Sequence, residues 1–194
     1  MSPAPAESPP QLRADAARNV RRIIETASRV LADDHSAGMA EVAAAAGLAR
    51  ATLYRHFPSR EDLVVTIRTQ AFDEFERVVA SARLDEGRPL DALRRLIDGI
   101  IEVGDRYRFL LAEPPGEPRG DPRRKREDRM RTPVLALIER AQGDGNLGSE
   151  LSPLWATQTL AALIDAALHA INDDQVTPAE ATEVVYRTFT VGFS

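Results

Sequence analysis

The stretch from Met39 to Phe57, MAEVAAAAGLARATLYRHF, restricts the possible folds more than any other part of the chain. Its first half, Met39 to Ala46, is mostly alanine, with Met39 and Val42 on one side of a helical wheel. Its second half, Arg50 to Phe57, carries Leu53 and Phe57 at i,i+4, so both face inward while Thr52, Tyr54, Arg55 and His56 lie off that stripe. Ala46-Gly47-Leu48 separates the halves as a tight turn. Small side chains let two helices cross closely, and the second helix is polar and basic, which together predict a helix-turn-helix. Its second helix is then the one that enters a DNA major groove. Pro58-Ser59-Arg60-Glu61-Asp62-Leu63 follows as a fresh helix start, with Ser59 as N-cap and Asp62 in the place of a capping-box acid.

The run Gly47, Leu48, Ala49, Arg50, Ala51, Thr52, Leu53, Tyr54, Arg55, His56, Phe57 resembles the recognition turn and helix of the TetR family of transcriptional repressors, which read G-(V/L)-x-x-x-T-L-Y-x-H-F. The resemblance covers about residues 17–68; beyond it the chain matches in length and helical layout. It implies an all-α protein of about nine helices, with a DNA-reading head joined by a long helix to an effector-binding and dimerisation domain. Arg18 and Arg22, near the start of the first helix, are candidates for phosphate contacts, with plain solvation as the alternative. Arg50 and Ala51 stand at the tip of the recognition helix. Thr52 in its first turn can donate to a base edge or phosphate, or set its methyl against thymine. The Tyr54 hydroxyl suits a phosphate oxygen, Arg55 sits at the variable position suited to base edges, and His56 matches the family histidine that touches the DNA backbone. Arg60 stands where relatives carry lysine, its charge and the helix-start N–H groups directed at a phosphate. One departure concerns stability: relatives cap the helix before Met39 with Ser or Thr, whereas this chain has Ala37-Gly38, leaving Ser36 or Gly38 as the cap.

A formal charge of -5 argues against nucleic acid only if charge is averaged over the chain. Between Ala16 and Arg60 seven arginines face four acids, a local excess of three positive charges. There is no cysteine, so neither a disulfide nor a thiolate metal site is available. His35, His56 and His169 have no ligand spacing, and no Gly-x-Ser-x-Gly or phosphate-cradling glycine loop occurs, so an enzyme, a metal site and a bound cofactor are not expected. No uninterrupted apolar run reaches 18 residues, and the proline-rich first ten residues lack a signal-peptide core. A cytoplasmic protein is expected.

Three segments follow: a disordered arm over 1–15, the head over 16–60, and a helical ligand-binding and dimerisation domain over 61–194. The first helix spans about 16–32 on Val20, Ile23, Ile24, Ala27, Val30 and Leu31. The helix after Ser59 runs to about Leu84, well past the head. Another covers about Leu90 to Ala112, with a break or change of angle near Gly104. Glu113 to Pro122 is a loop of four prolines and two glycines, and the basic run Arg123 to Arg131 after it reads as a solvated helix start rather than a second nucleic-acid site. Ser152-Pro153 and Thr177-Pro178-Ala179-Glu180 open the last two helices. Their wide apolar faces suit a two-fold homodimer, with burial inside one subunit as the alternative. Leu93, Ile97, Ile100, Tyr107, Phe109, Leu137, Trp155 and Thr159 form either ordinary core or the walls of an effector pocket. As walls they would favour a hydrophobic or aromatic small molecule. The expected function is a homodimeric repressor on a palindromic operator, released by a small-molecule effector. Its rival is a helical scaffold or protein-binding module without sequence-specific DNA binding, which would not show salt-steep affinity for a preferred duplex.

Overall fold

The computed structural model describes the backbone over 9–113 and 121–193, with side chains over 19–113 and 128–193. All regular structure among these residues is helical: α1 (Pro9–Asp33), α2 (Met39–Ala45), α3 (Arg50–His56), α4 (Arg60–Ser81), α5 (Pro89–Arg106), a 3-10 turn (Arg108–Leu111), α6 (Asp121–Gly143), α7 (Pro153–Asn172) and α8 (Pro178–Gly192). The chain forms two compact units, Met1–Ile67 and Arg68–Ser194, which divide inside α4. That division falls later than the expected 60/61, since buried Leu63, Val64 and Ile67 on the first two turns of α4 group with the first unit.

In the first unit, α1 starts at Pro9 instead of Ala16, so 9–15 is helical where an arm was expected; residues 1–8 lie outside the description. Proline is acceptable in a first helical turn, where its missing N–H has no intrahelical partner to lose. Ile23, Ile24, Ala27 and Leu31 of α1 are buried along with Met39, Val42 and Ala43 of α2 and Leu53 and Phe57 of the third helical segment. Gly38 caps α2: Glu41 reaches back to accept from its N–H at 2.6 Å, the acid half of a capping box, while Ser36 is engaged with Asp34. The α2–α3 turn is a Schellman motif. Leu48 N–H donates to Ala43 O at 2.9 Å and Gly47 N–H to Ala44 O at 3.0 Å, with Gly47 at φ +66°. A Cβ on Gly47 would meet no atom within 4 Å, so a substitution there feels backbone strain alone. Gly47→Ala is expected to destabilise the head by about 1–2 kcal/mol, and Gly47→Asn by less, because asparagine tolerates the left-handed region. Urea titrations of the two variants give the comparison.

In the second unit, α5 buries Leu93, Leu96, Ile97 and Ile101 against Leu137 and Ile138 of α6, Leu160 and Ile164 of α7, and Val185 and Phe189 of α8, all in one apolar cluster. The break expected near Gly104 is absent. The helix continues to Arg106, and a Cβ on Gly104 would lie 2.3 Å from Leu168 Cδ2, so glycine is there to let α5 and α7 approach. Both expected start signals form. The Ser152 hydroxyl accepts from Trp155 N–H at 3.2 Å, and Thr177 and Glu180 cap each other, Glu180 Oε2 accepting from Thr177 N–H at 2.8 Å. By length and composition α7 is apolar enough to cross a membrane, with mean hydropathy 1.2. It nevertheless sets Ala156, Leu160, Ile164, Ala167 and Ile171 into the core cluster of the bundle.

Candidate nucleic-acid interface

Helix α3 is short, and two apolar residues fix its rotation. Leu53 is fully buried and Phe57, its C-cap, is 4% exposed. A helix held by that edge must turn the others outward: Arg50, Ala51, Arg55 and His56 are exposed, Tyr54 is 48% exposed and Thr52 is half-buried. Arg55 Nη2 donates to Thr52 Oγ1 at 3.3 Å, so the two expected base readers share one polar contact on the outer face. Arg22 is exposed on α1, donating to Asn19 Oδ1 at 3.2 Å; the side chain of Arg18 lies outside the described residues.

Around this face the loops are braced. Ser59 caps α4, its hydroxyl accepting from Asp62 N–H at 3.0 Å and donating to Asp62 Oδ2 at 2.7 Å. Ser36, through its hydroxyl and then its N–H, holds the Asp34 carboxyl below the usual carboxylate range. Arg60 departs from the expectation that its charge simply faces a phosphate. Its Nη2 donates to the carbonyl of His35 at 2.7 Å, tying the start of α4 to the loop before α2. A lysine has no planar fork with which to hold a carbonyl and still present further N–H groups; arginine does. Local spacing gives no hint of this bond, because its partners are 25 residues apart.

The face divides into two chemical roles, and substitutions separate them. Arg55→Ala is expected to alter preference among duplex sequences by roughly 1–3 kcal/mol at the base it reads. Tyr54→Phe is expected to weaken all duplexes by a similar factor. Competition binding against single-base variants measures both, and an unchanged preference in Arg55→Ala removes that residue from the readers.

The residues expected to wall an effector pocket do not all meet. Leu93, Ile97 and Leu137 belong to the apolar cluster, with Ile100 packed against it. Phe109 and Tyr107 are buried in the second unit, and Thr159 is half-buried. Trp155 is a correction: it is 56% exposed and walls nothing inside the subunit. The buried stripe of α7 passes through Ala156 and Leu160, about 100° around the helix from Trp155. A polar cluster beside Tyr107 went unnoticed in the sequence. The Tyr107 hydroxyl donates to Glu74 Oε1 at 2.8 Å, Gln70 Nε2 donates to that hydroxyl at 3.3 Å, and Arg106 Nη1 lies 2.6 Å from Glu74 Oε2. Burial first, then the bond to Glu74, pushes the Tyr107 phenol up to about 12, so it remains a donor well above neutrality. The i,i+4 spacing of Gln70 and Glu74 was visible; their distant tyrosine was not. Among the described residues no group of three His, Cys, Asp or Glu is placed to hold a metal.

Comparison with known proteins agrees with this layout. The family model for bacterial regulatory proteins of the tetR family matches residues 23–67. The HTH-type transcriptional repressor LfrR of Mycolicibacterium smegmatis is 30% identical over 167 residues, 84% of this chain and 85% of LfrR. The HTH-type transcriptional repressor BepR of Brucella suis is 29% identical over 171 residues, 81% of this chain and 82% of BepR. Among solved structures, the TetR-like regulator LfrR from Mycobacterium smegmatis in complex with proflavine superposes with a TM-score of 0.68 at 24% identity, covering 91% of this chain and 98% of that one. AibR in complex with isovaleryl coenzyme A and operator DNA superposes at 0.62 with 21% identity, covering 87% and 96%. At those identities the structural likeness speaks for the fold.

Proposed function

Because the chain belongs to the TetR family of bacterial regulatory proteins, we propose that it is a homodimeric transcriptional repressor that binds a palindromic operator and leaves it when a small apolar or aromatic effector binds. Members of the family are non-enzymatic DNA-binding regulators of the cytoplasm. The observation that carries the reading is the outer face of α3, where Arg50, Tyr54, Arg55 and His56 are all exposed while Leu53 and Phe57 anchor the helix from behind. Repression is supported by the similarity to LfrR and BepR, both named as repressors. A small-molecule effector is supported by the LfrR structure with proflavine and by the AibR structure with an acyl coenzyme A and operator DNA.

Dimerisation is supported by side chains that the single subunit leaves uncovered. On α7 and α8, Leu154, Trp155, Val184 and Val191 are 45–68% exposed. A two-fold axis through this surface would cover each patch with its own copy and pair two heads on one face of the duplex. The effector then acts by favouring the state that binds DNA poorly, with no chemistry required. Selection of bound duplexes from a random library by the purified protein tests the reading. A single palindrome is the expected product; a pool without sequence preference rejects it in favour of the scaffold.

A further inference from the structure

We propose that the groove between α4 and α6 is a seat for a neutral, apolar small molecule, a binding site separate from the core residues that the sequence nominated. The groove is half-open and encloses about 330 Å³. It exists because two polar clasps fix α4 and α6 apart while the residues between the clasps are small. At one end Arg129 Nη2 meets Glu76 Oε1 at 2.9 Å. At the other, Arg140 donates from Nη2 to Leu84 O at 2.6 Å and from Nη1 to Gly87 O at 2.8 Å. One turn beyond Glu76 stands Ala80, and one turn beyond Arg129 stands Pro133, with Ala136 next on the same face. Leucines at these positions would close the space.

The floor is the edge of the apolar cluster: Val79, Leu84 and Leu137 are each at most 7% exposed. The rim is organised before any ligand arrives. Arg95 donates from Nε to Ala82 O at 3.0 Å and from Nη2 to Arg83 O at 3.2 Å, so two arginines hold the carbonyls of the turn that follows α4. A preformed apolar concavity of a few hundred Å³ is the usual form of a small-molecule site. Its size suits a molecule of two or three rings. The charged groups at the rim, Asp85 and Arg140, have opposite signs, and the guanidinium is already directed at two carbonyls. The seat therefore carries no net charge to recruit an ion, and transfer of apolar surface from water is the driving force.

This seat deepens the effector half of the proposed function and rests on it for its regulatory meaning, whereas binding itself can be measured alone. N-phenyl-1-naphthylamine, neutral at pH 7, is titrated into the full chain and followed by its fluorescence. Its anionic relative 8-anilino-1-naphthalenesulfonate, with the same ring framework, is run beside it. Saturable binding of one neutral probe per chain is expected, tighter than that of the sulfonate. Ala136→Trp and Ala80→Trp fill the groove from opposite walls, both from solvent-exposed positions that leave the core untouched. Each is expected to weaken the neutral probe by about tenfold or more, while Trp155→Ala leaves it unchanged. Equal affinity for both probes, or unaltered binding in the two tryptophan variants with native helicity, overturns the seat. Duplex selection without probe reports separately on the regulator reading, so failure of one is not mistaken for failure of the other.

Discussion

Val184→Glu is expected to turn a dimeric protein into a monomer without unfolding it. Val184 is 56% exposed in the subunit, and Val191, two turns along α8, is 68% exposed. Such side chains cost nothing to the subunit's own packing when replaced. Covered by a two-fold partner, the new carboxylate would be buried twice, once from each chain, facing valine, leucine and tryptophan. An unpaired buried charge costs several kcal/mol, so the dimer should weaken by at least about 4 kcal/mol, roughly a thousandfold in its dissociation constant. Sedimentation equilibrium measures the loss, and circular dichroism checks that helicity is intact. The same variant should occupy single operator half-sites and lose the affinity that comes from engaging two at once. A Val184→Glu protein that remains dimeric places the interface elsewhere.

The second large effect lies inside the bundle. Phe189 on α8 has no exposed surface, its ring is 4.8 Å from that of Phe193, and it belongs to the cluster shared by α5, α6, α7 and α8. Phe189→Ala removes that ring from a site where several helices meet, and the surrounding helices can collapse only partly into the space. A loss of about 3–5 kcal/mol in unfolding free energy is expected. In urea the midpoint should fall with little change in slope, since the surface exposed on unfolding is nearly the same. Because the two compact units divide at Ile67, the loss should register in the transition of the second unit. A stability change under 1 kcal/mol would mean that the phenylalanine is not a keystone of that cluster.

These two predictions concern the same two helices yet differ in how far the sequence foretold them. That α8 carries apolar residues on a wide face was legible from Ala181, Val184, Val185 and Phe189. Which of them face inward was not. Val184 and Val185 are neighbours in sequence, one exposed and the other 2% exposed, and the packing of α5 and α7 decides between them. The same reason explains Trp155. Its size and apolarity suggested a pocket wall, but its neighbour Ala156 occupies the inward position.

What the sequence determined by itself is everything whose partners lie within about one helical turn. The Leu53–Phe57 edge that rotates α3, the Ser59, Ser152 and Thr177 caps, and the glycine required by the turn at Gly47 all depend on neighbours three to five residues away. The helical class and the polar outer face of the recognition helix follow from those. Tertiary structure decided the contacts that span distance: Arg60 on the His35 carbonyl, Tyr107 on Glu74, Gly104 against Leu168, and the two clasps that hold α4 and α6 around an open groove. Periodicity records which side of a helix is apolar. Only the approach of a second helix determines whether that side meets a core, a cavity or the solvent.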